Sequence, residues 1–530
     1  MTGVFVGPVR VVRTPGSFGL QHDLWFLCDR MLRVGRSGWL VSADRPTMVR
    51  VHVLIALGSA MIAVFMFLIL SKRLAPTLAL VLVPLTFALV AVGTGVAESG
   101  EDGVVKAITS AMKDFAPTAV LLFFAIIFFG TMIDVGLFDP LIRFVLRAVN
   151  NDPVRLVVLT AVLAGAVSLD GDGSTTFIIT VSALLPIYLR LGMSPVTLTV
   201  VANLANGVLN ILPWGGPTAR AATALNVSPS ELFNPMIPGM VLGMVTVLVL
   251  AWLLGRSERK RLAAAGRPLP VVASEFDRVP EHAAAGVAAA EVAGAGAGGV
   301  GGAESASGVG FIDAGGVLDP TRPTLRPKLI WFNLVLTVAL LVVLGLDVLP
   351  LSLVFVAASA IALVVNFPRP VDQVTAVTAH ASSIVAVVAM VFAASVLVGV
   401  LSGTGMVAAM ANGIIAMVPP EIGSWFAVIV SVLSMPLTFF LTNDAFYFGI
   451  LPILSEAAGH YGISPVEMAR ASIIGQPVHM TSPLVPAMLL LVSLAKVDLA
   501  DHHKKVIWRA AVCSLVMMAT AIALGVIPLG

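Results

Sequence analysis

Runs of about twenty apolar residues, each long enough to cross a hydrocarbon layer as one helix, recur along this chain of 530 residues. They leave few folds open. In lipid every backbone N–H and C=O must find a partner within the protein, so such runs become helices. The chain is 58% hydrophobic and 11% charged, with a mean hydropathy of +1.01, whereas a soluble domain carries about a quarter charged residues. An all-α polytopic membrane protein is expected. Spans are expected near 51–70, 76–97, 117–137, 196–225, 233–255, 329–346, 350–367, 383–402, 467–495 and 508–528.

Two further apolar stretches, 154–190 and 424–459, are each divided by a polar island. Ser168-Leu169-Asp170-Gly171-Asp172-Gly173-Ser174-Thr175-Thr176 divides the first, and Leu441-Thr442-Asn443-Asp444-Ala445 the second. Each stretch is expected to fold as a re-entrant pair of short helices. A second break follows in each half, at Asn210 to Thr218 through Pro213-Trp214-Gly215-Gly216-Pro217, and at Gly475 to Pro483. Carboxylates and irregular backbone at membrane depth are costly unless buried in protein or lining a polar cavity. Paired breaks in two halves point to the substrate site of a secondary transporter.

The halves are expected at 48–255 and 328–530, joined by the hydrophilic stretch 256–327. That stretch opens on a basic cluster and dissolves into alanine and glycine, a composition unable to bury a core. Residues 1–47 hold no spanning run, and are expected to be a poorly ordered extension or a mis-assigned start upstream of Met48. The halves share motifs in the same order. Gly192-Met193-Ser194-Pro195 matches Gly462-Ile463-Ser464-Pro465, and a further proline, Pro213 or Pro483, follows at equal distance. Placing the lysine and arginine clusters on the cytoplasmic side makes the first island enter from within and the second from outside, an inverted repeat. Arg470 is the exception.

Hairpin tips offer free N–H groups and positive helix ends to anionic oxygens. Ser174, Thr175, Thr176, Thr442 and Asn443 are therefore substrate-binding candidates, with helix capping as the plain alternative. Asp170, Asp172 and Asp444 are intramembrane carboxylates, suited to carrying a proton, to binding a hard cation, or to capping. Asn206 joins them as an amide oxygen for a cation. Asn210, Gly215, Gly216 and Thr218 supply amide, carbonyl and hydroxyl oxygens at the first-half break, and Arg220 could grip a carboxylate or snorkel to the interface. Gln476, His479, Thr481 and Ser482 occupy the corresponding second-half position. Of these, Thr481 and Ser482 are substrate candidates and His479 a proton-handling one, with a structural hydrogen bond as its alternative.

Other classes find little support. A net charge of +2 sums two faces of a membrane and points to no nucleic acid. Cys28 and Cys513 are too few for a disulfide framework or thiolate metal site. No phosphate-cradling glycine loop or HExxH occurs. Asp170 and Asp172, two residues apart, do not face one another on a helix as paired catalytic acids would. No enzyme, cofactor or dedicated structural metal site is expected.

At the breaks the chain resembles the citrate–metal–proton symporter family, within a broader ion-transporter superfamily. The stretches that carry it are FGTMIDVGLFDPLI (129–142), SLDGDGSTTF (168–177), ILPWGGPTAR (211–220), WFNLVLTVAL (331–340), LTNDAFYFGILPI (441–453) and GQPVHMTSPLVP (475–486). The resemblance implies uptake of citrate complexed with a divalent metal ion, driven by protons, in a bacterial cytoplasmic membrane. A homodimer and an elevator-like motion are implied by the superfamily alone. The alternatives on the same architecture are a sodium-coupled di- or tricarboxylate carrier and a cation/proton antiporter.

Overall fold

The computed structural model describes residues 45–71, 73–97, 103–149, 152–264, 322–346, 348–416 and 418–529. Its elements are helical, as the apolar runs require. The first half holds α1 (Arg45–Leu70), α2 (Pro76–Gly93), α3 (Val104–Asp134), α4 (Asp139–Ala148), α5 (Pro153–Val167), α6 (Gly173–Arg190), α7 (Pro195–Leu209), α8 (Gly216–Leu225), α9 (Pro229–Phe233) and α10 (Ile237–Ala264). In the second are α11 (Ile330–Leu346), α12 (Leu351–Asn366), α13 (Pro370–Ala379), α14 (Ala381–Gly403), α15 (Met406–Ile415), α16 (Pro420–Gly423) and α17 (Phe426–Phe440). After a π-helical turn, Ala445–Ile450, come α18 (Leu451–Gly459), α19 (Pro465–Ile473), α20 (Gln476–His479), α21 (Pro486–Leu494) and α22 (Leu499–Ala523). Among the described residues, nine helices are long and apolar enough to cross a membrane.

Several expected boundaries differ; α22, for one, begins at Leu499 rather than near 508. α3 begins at Val104 rather than near 117 and runs straight through Pro117, because the polar turns before that proline continue the same helix. α10 continues to Ala264, into the stretch expected to be linker. Its last turns are held from within. Glu258, buried, accepts the Ser194 N–H at 3.2 Å and the Thr197 hydroxyl at 3.1 Å, while Arg261 donates to it at 2.7 Å. Arg259 donates to Asp152 at 2.6 Å. Burial pushes the Asp152 carboxyl up, but the Arg259 bond and charge, with the Val154 N–H, outweigh it and hold it below the usual carboxylate range. Residues 265–321 of the expected linker, and residues 1–44, lie outside the described residues.

α3 and α14 pack along each other at close range. Cβ atoms built on Gly399 and Gly403 would lie 2.5 Å from Ile108 Cα and 3.0 Å from Val104 Cα, so only glycine lets the backbones approach. The far end of the pair is joined by His380, whose Nε2 is 3.0 Å from Asp134 Oδ2. The start of α3 thus meets the end of α14, and the end of α3 meets the start of α14. They run antiparallel. α2 packs on α14 and α12 on α3 around this pair. The last residues of the stretch expected to be linker are held as well: Arg322 donates to the Asp134 carbonyl at 3.1 Å and pairs with Asp139 at 3.1 Å, and Arg326 donates to the Asn366 carbonyl at 2.8 Å. The ends of α3 and α12 are tied together by these bonds.

The remaining helices pack with a reciprocal pattern. α5 and α6 both lie on α7, and α17 and α18 both lie on α19. Past its break, each chain half then crosses over: α8 packs on the π-turn and α18, and α21 packs on α6. The corners match as well. Gly192 and Gly462 adopt left-handed φ values of 67° and 77°, closing the helices before them, and Ser194 and Ser464 precede Pro195 and Pro465 at the start of the next helix. In both corners the serine N–H donates to a glutamate, Glu258 in one and Glu467 in the other.

Candidate functional site

The first island breaks at Gly171, whose φ of 80° closes a short 3₁₀ turn, Ser168–Asp170. Only glycine enters that conformation freely, and a Cβ there would also lie 3.0 Å from the Trp214 ring. Asp172 caps α6: its carboxylate accepts the N–H groups of Ser174 at 3.1 Å and Thr175 at 3.0 Å, and the Thr175 hydroxyl at 2.7 Å. Asp170 accepts the Asp172 N–H at 2.9 Å in a tight local turn. Beneath them, Ser168 receives the Asn206 amide at 3.0 Å and lies 3.2 Å from the Thr176 hydroxyl. The carbonyl oxygens of the Asn203 and Asn206 side chains are buried with no hydrogen-bond partner among the described residues.

The second island is built otherwise. Thr442 Oγ1, not the aspartate, accepts the Ala445 N–H that opens the following helix, at 3.3 Å. That helix starts as a π-turn, a distortion frequent at functional sites. Asp444 is thereby left to face across the molecule, where Arg220 donates Nε–H to its Oδ1 at 2.5 Å. The pair is largely enclosed, with side chains 26% and 12% exposed.

At the second-stage breaks the freed backbone groups are recovered by side chains. Thr218 donates to the Ile211 carbonyl at 2.7 Å, Thr481 to Val478 at 2.7 Å and Ser482 to Phe439 at 2.5 Å. His479 donates its Nδ1–H to the Thr438 carbonyl at 2.6 Å. A Cβ on Gly215 would fall 2.5 Å from the Asn210 carbonyl oxygen, and one on Gly216 2.7 Å from an Arg220 Nη. Glycine at these two positions therefore lets the break turn and lets the guanidinium fold back over the helix start. The interrupted helices cross at Gly207, where an added Cβ would sit 2.9 Å from Pro477 Cα.

A polar network built on Gln476 joins the two halves. Asn210 donates to Gln476 at 3.0 Å, and Gln476 donates to the Tyr447 hydroxyl at 2.7 Å and to Asn443 at 3.3 Å. Of the residues expected from sequence, Asn210 and Asn443 thus share this network, and Arg220 and Asp444 pair beside it, Asp444 following Asn443 in the chain. Ser174, Thr175, Thr176, Asp170, Asp172 and Asn206 gather at the first tip. Thr218, Thr442, Thr481, Ser482 and His479 hold backbone groups. Tyr447 and Asn203 were not anticipated. The spacing of Asn203 and Asn206 could have revealed Asn203, since residues three apart share a helix face; Tyr447 carried no such signal.

A helical, multi-pass membrane protein whose interrupted segments converge on an enclosed, charge-paired polar centre has the build of a solute transporter. Residues 65–475 match the family model CitMHS, described as "Citrate transporter". Two Bacillus subtilis (strain 168) proteins are each 44% identical to the chain: one named "Citrate transporter", over 89% of this chain and 99% of its own, the other "Mg(2+)/citrate complex secondary transporter", over 89% and 98%. The solved Alcanivorax borkumensis YdaH transporter, reported to have an unusual topology, superposes with a TM-score of 0.47 at 16% identity, over 79% of this chain and 86% of its own. The chain belongs to the CitMHS family of citrate transporters.

Proposed function

We propose that this protein imports citrate as a complex with a divalent metal ion, in symport with protons, across a bacterial cytoplasmic membrane. The observation that carries this reading is the Arg220–Asp444 pair, set between the two halves beside a neutral polar network. A site holding both signs of charge suits a substrate that presents free carboxylates and a hard cation together. The relative named for a Mg(2+)/citrate complex supports the same substrate. Chelation lowers the charge to be desolvated at the membrane centre, and a coupled proton offsets what remains.

Two inverted repeats, 48–255 and 328–530, account for the antiparallel α3 and α14, the matched corners and the exchanged helices α8 and α21. On this reading α3, α14 and their neighbours are a scaffold, and the island-bearing helices form a core that moves against it, in a homodimer. Where core meets scaffold, Trp214 holds the Leu169 carbonyl at 2.8 Å while its ring stacks on Phe129, centroids 5.4 Å apart.

Radiolabelled citrate uptake into proteoliposomes, across a panel of metals and with or without a proton gradient, tests the proposal. Uptake should require a chelating metal and collapse when the gradient is dissipated. A second reading, sodium coupling, draws on the unpartnered Asn203 and Asn206 oxygens; sodium-driven uptake of free citrate, indifferent to a protonophore, would replace the first reading with it.

A further inference from the structure

Three aspartates lie in the islands, yet they are not equivalent. The Asp172 carboxylate is occupied by its own helix start, and Asp170 by the turn that precedes it. Asp444 alone among them is turned to a cation from the other half. Arg220 meets it through Nε only, and among the described residues no other carboxylate engages the guanidinium. The Nη fork is thus left for a second oxygen pair. The side chains in the adjoining network, Asn210, Asn443, Gln476 and Tyr447, are uncharged.

Those contacts set a condition on what can enter. A free tricarboxylate would draw Arg220 to itself and leave Asp444, enclosed and without its counter-charge, facing an anion. Stranding one partner of an enclosed pair is strongly unfavourable, and like charges placed together suppress a wrong ligand. A metal chelate avoids both costs, because its uncoordinated carboxylate meets Arg220 while its metal edge meets Asp444 through a hard oxygen.

We propose that Asp444 is the residue that makes the metal obligatory: the Arg220–Asp444 pair opens onto the two ends of the chelate, Arg220 taking carboxylate and Asp444 taking the metal. This rests on the metal–citrate reading above and assigns its specificity to one side chain.

The test compares citrate uptake by wild type, Asp444→Asn and Asp444→Glu in proteoliposomes, with magnesium present or removed by EDTA, at one pH. Wild type should depend on metal by about tenfold or more, the scale set by opposing like charges. Asp444→Asn should lower uptake of the chelate and bring the ratio with and without metal to within about twofold. Asp444→Glu should keep the dependence but change the ranking of magnesium against calcium, since it moves the ligand oxygen. A wild type indifferent to metal would sink the metal–citrate reading itself. A metal-dependent wild type matched by an equally dependent Asp444→Asn would overturn this inference and leave that reading standing. Should Asp444→Asn fail to transport, its thermal shift with citrate, with and without magnesium, decides: stabilisation only by the chelate would overturn the inference. An Asp444→Glu protein with the wild-type metal ranking would do the same.

Discussion

A carboxylate in a membrane break can cap, turn or pair, and the three aspartates here take one role each. What separates Asp172 from Asp170 is the left-handed Gly171 between them, which turns the chain so that Asp172 alone faces the N–H groups of α6. Replacing Asp172 with alanine removes three accepted hydrogen bonds and should cost about 1–2 kcal/mol, the upper range for a lost helix cap. Asparagine, itself a good cap, should recover most of it. Thermal denaturation of the purified protein in detergent measures both, and an alanine variant as stable as wild type would mean that the carboxylate does not hold the helix start. That an aspartate in these islands might only cap was legible in the sequence. Which one did was not, because a glycine's φ is decided by what surrounds it, here the Trp214 ring packed against the turn.

Elements were legible to the extent that apolar length determines them. Both islands and both later breaks lie where Gly, Pro, Asn and Asp interrupt the apolar runs. The end of α10 shifted for a tertiary reason. Glu258 extends α10 because residues 61 and 64 positions earlier supply its donors, and local composition carries no trace of such partners. The close crossing of α3 and α14 is similar: Gly399 and Gly403 are visible as a small-residue pair, but not the helix they face. Gly399→Ala should destabilise the protein by about 1–3 kcal/mol, the cost of overpacking a tight contact. Gly413→Ala provides the control, because a Cβ there meets only a side-chain methyl at 3.8 Å, and gains up to about 1 kcal/mol in helix propensity. Denaturation curves that moved together would show that the crossing does not depend on Gly399.

Across the whole molecule, the two halves repeat their corners yet exchange their later helices, so each half's island-bearing helices are covered in part by the other half. The motif match announced the corners, since Gly, Ser and Pro act within a few residues. The exchange of α8 and α21 could not be read, because it depends on which distant faces fit. If the halves are inverted, equivalent positions in the two corners must lie on opposite sides of the membrane. Arg190 and His460 are such positions, each exposed and each two residues before its left-handed glycine. With Cys28 replaced by serine and Cys513 buried, Arg190→Cys and His460→Cys can be labelled separately in intact cells. An impermeant maleimide should reach His460→Cys directly, and Arg190→Cys only after permeabilisation, because lysine- and arginine-rich ends stay in the cytoplasm. Labelling of both from one side would place the halves in the same orientation, and the matched corners would then record a parallel duplication. Opposite labelling would leave Arg220 and Asp444 approaching each other from contrary directions, the arrangement in which one ion pair can be presented first to one side of the membrane and then to the other.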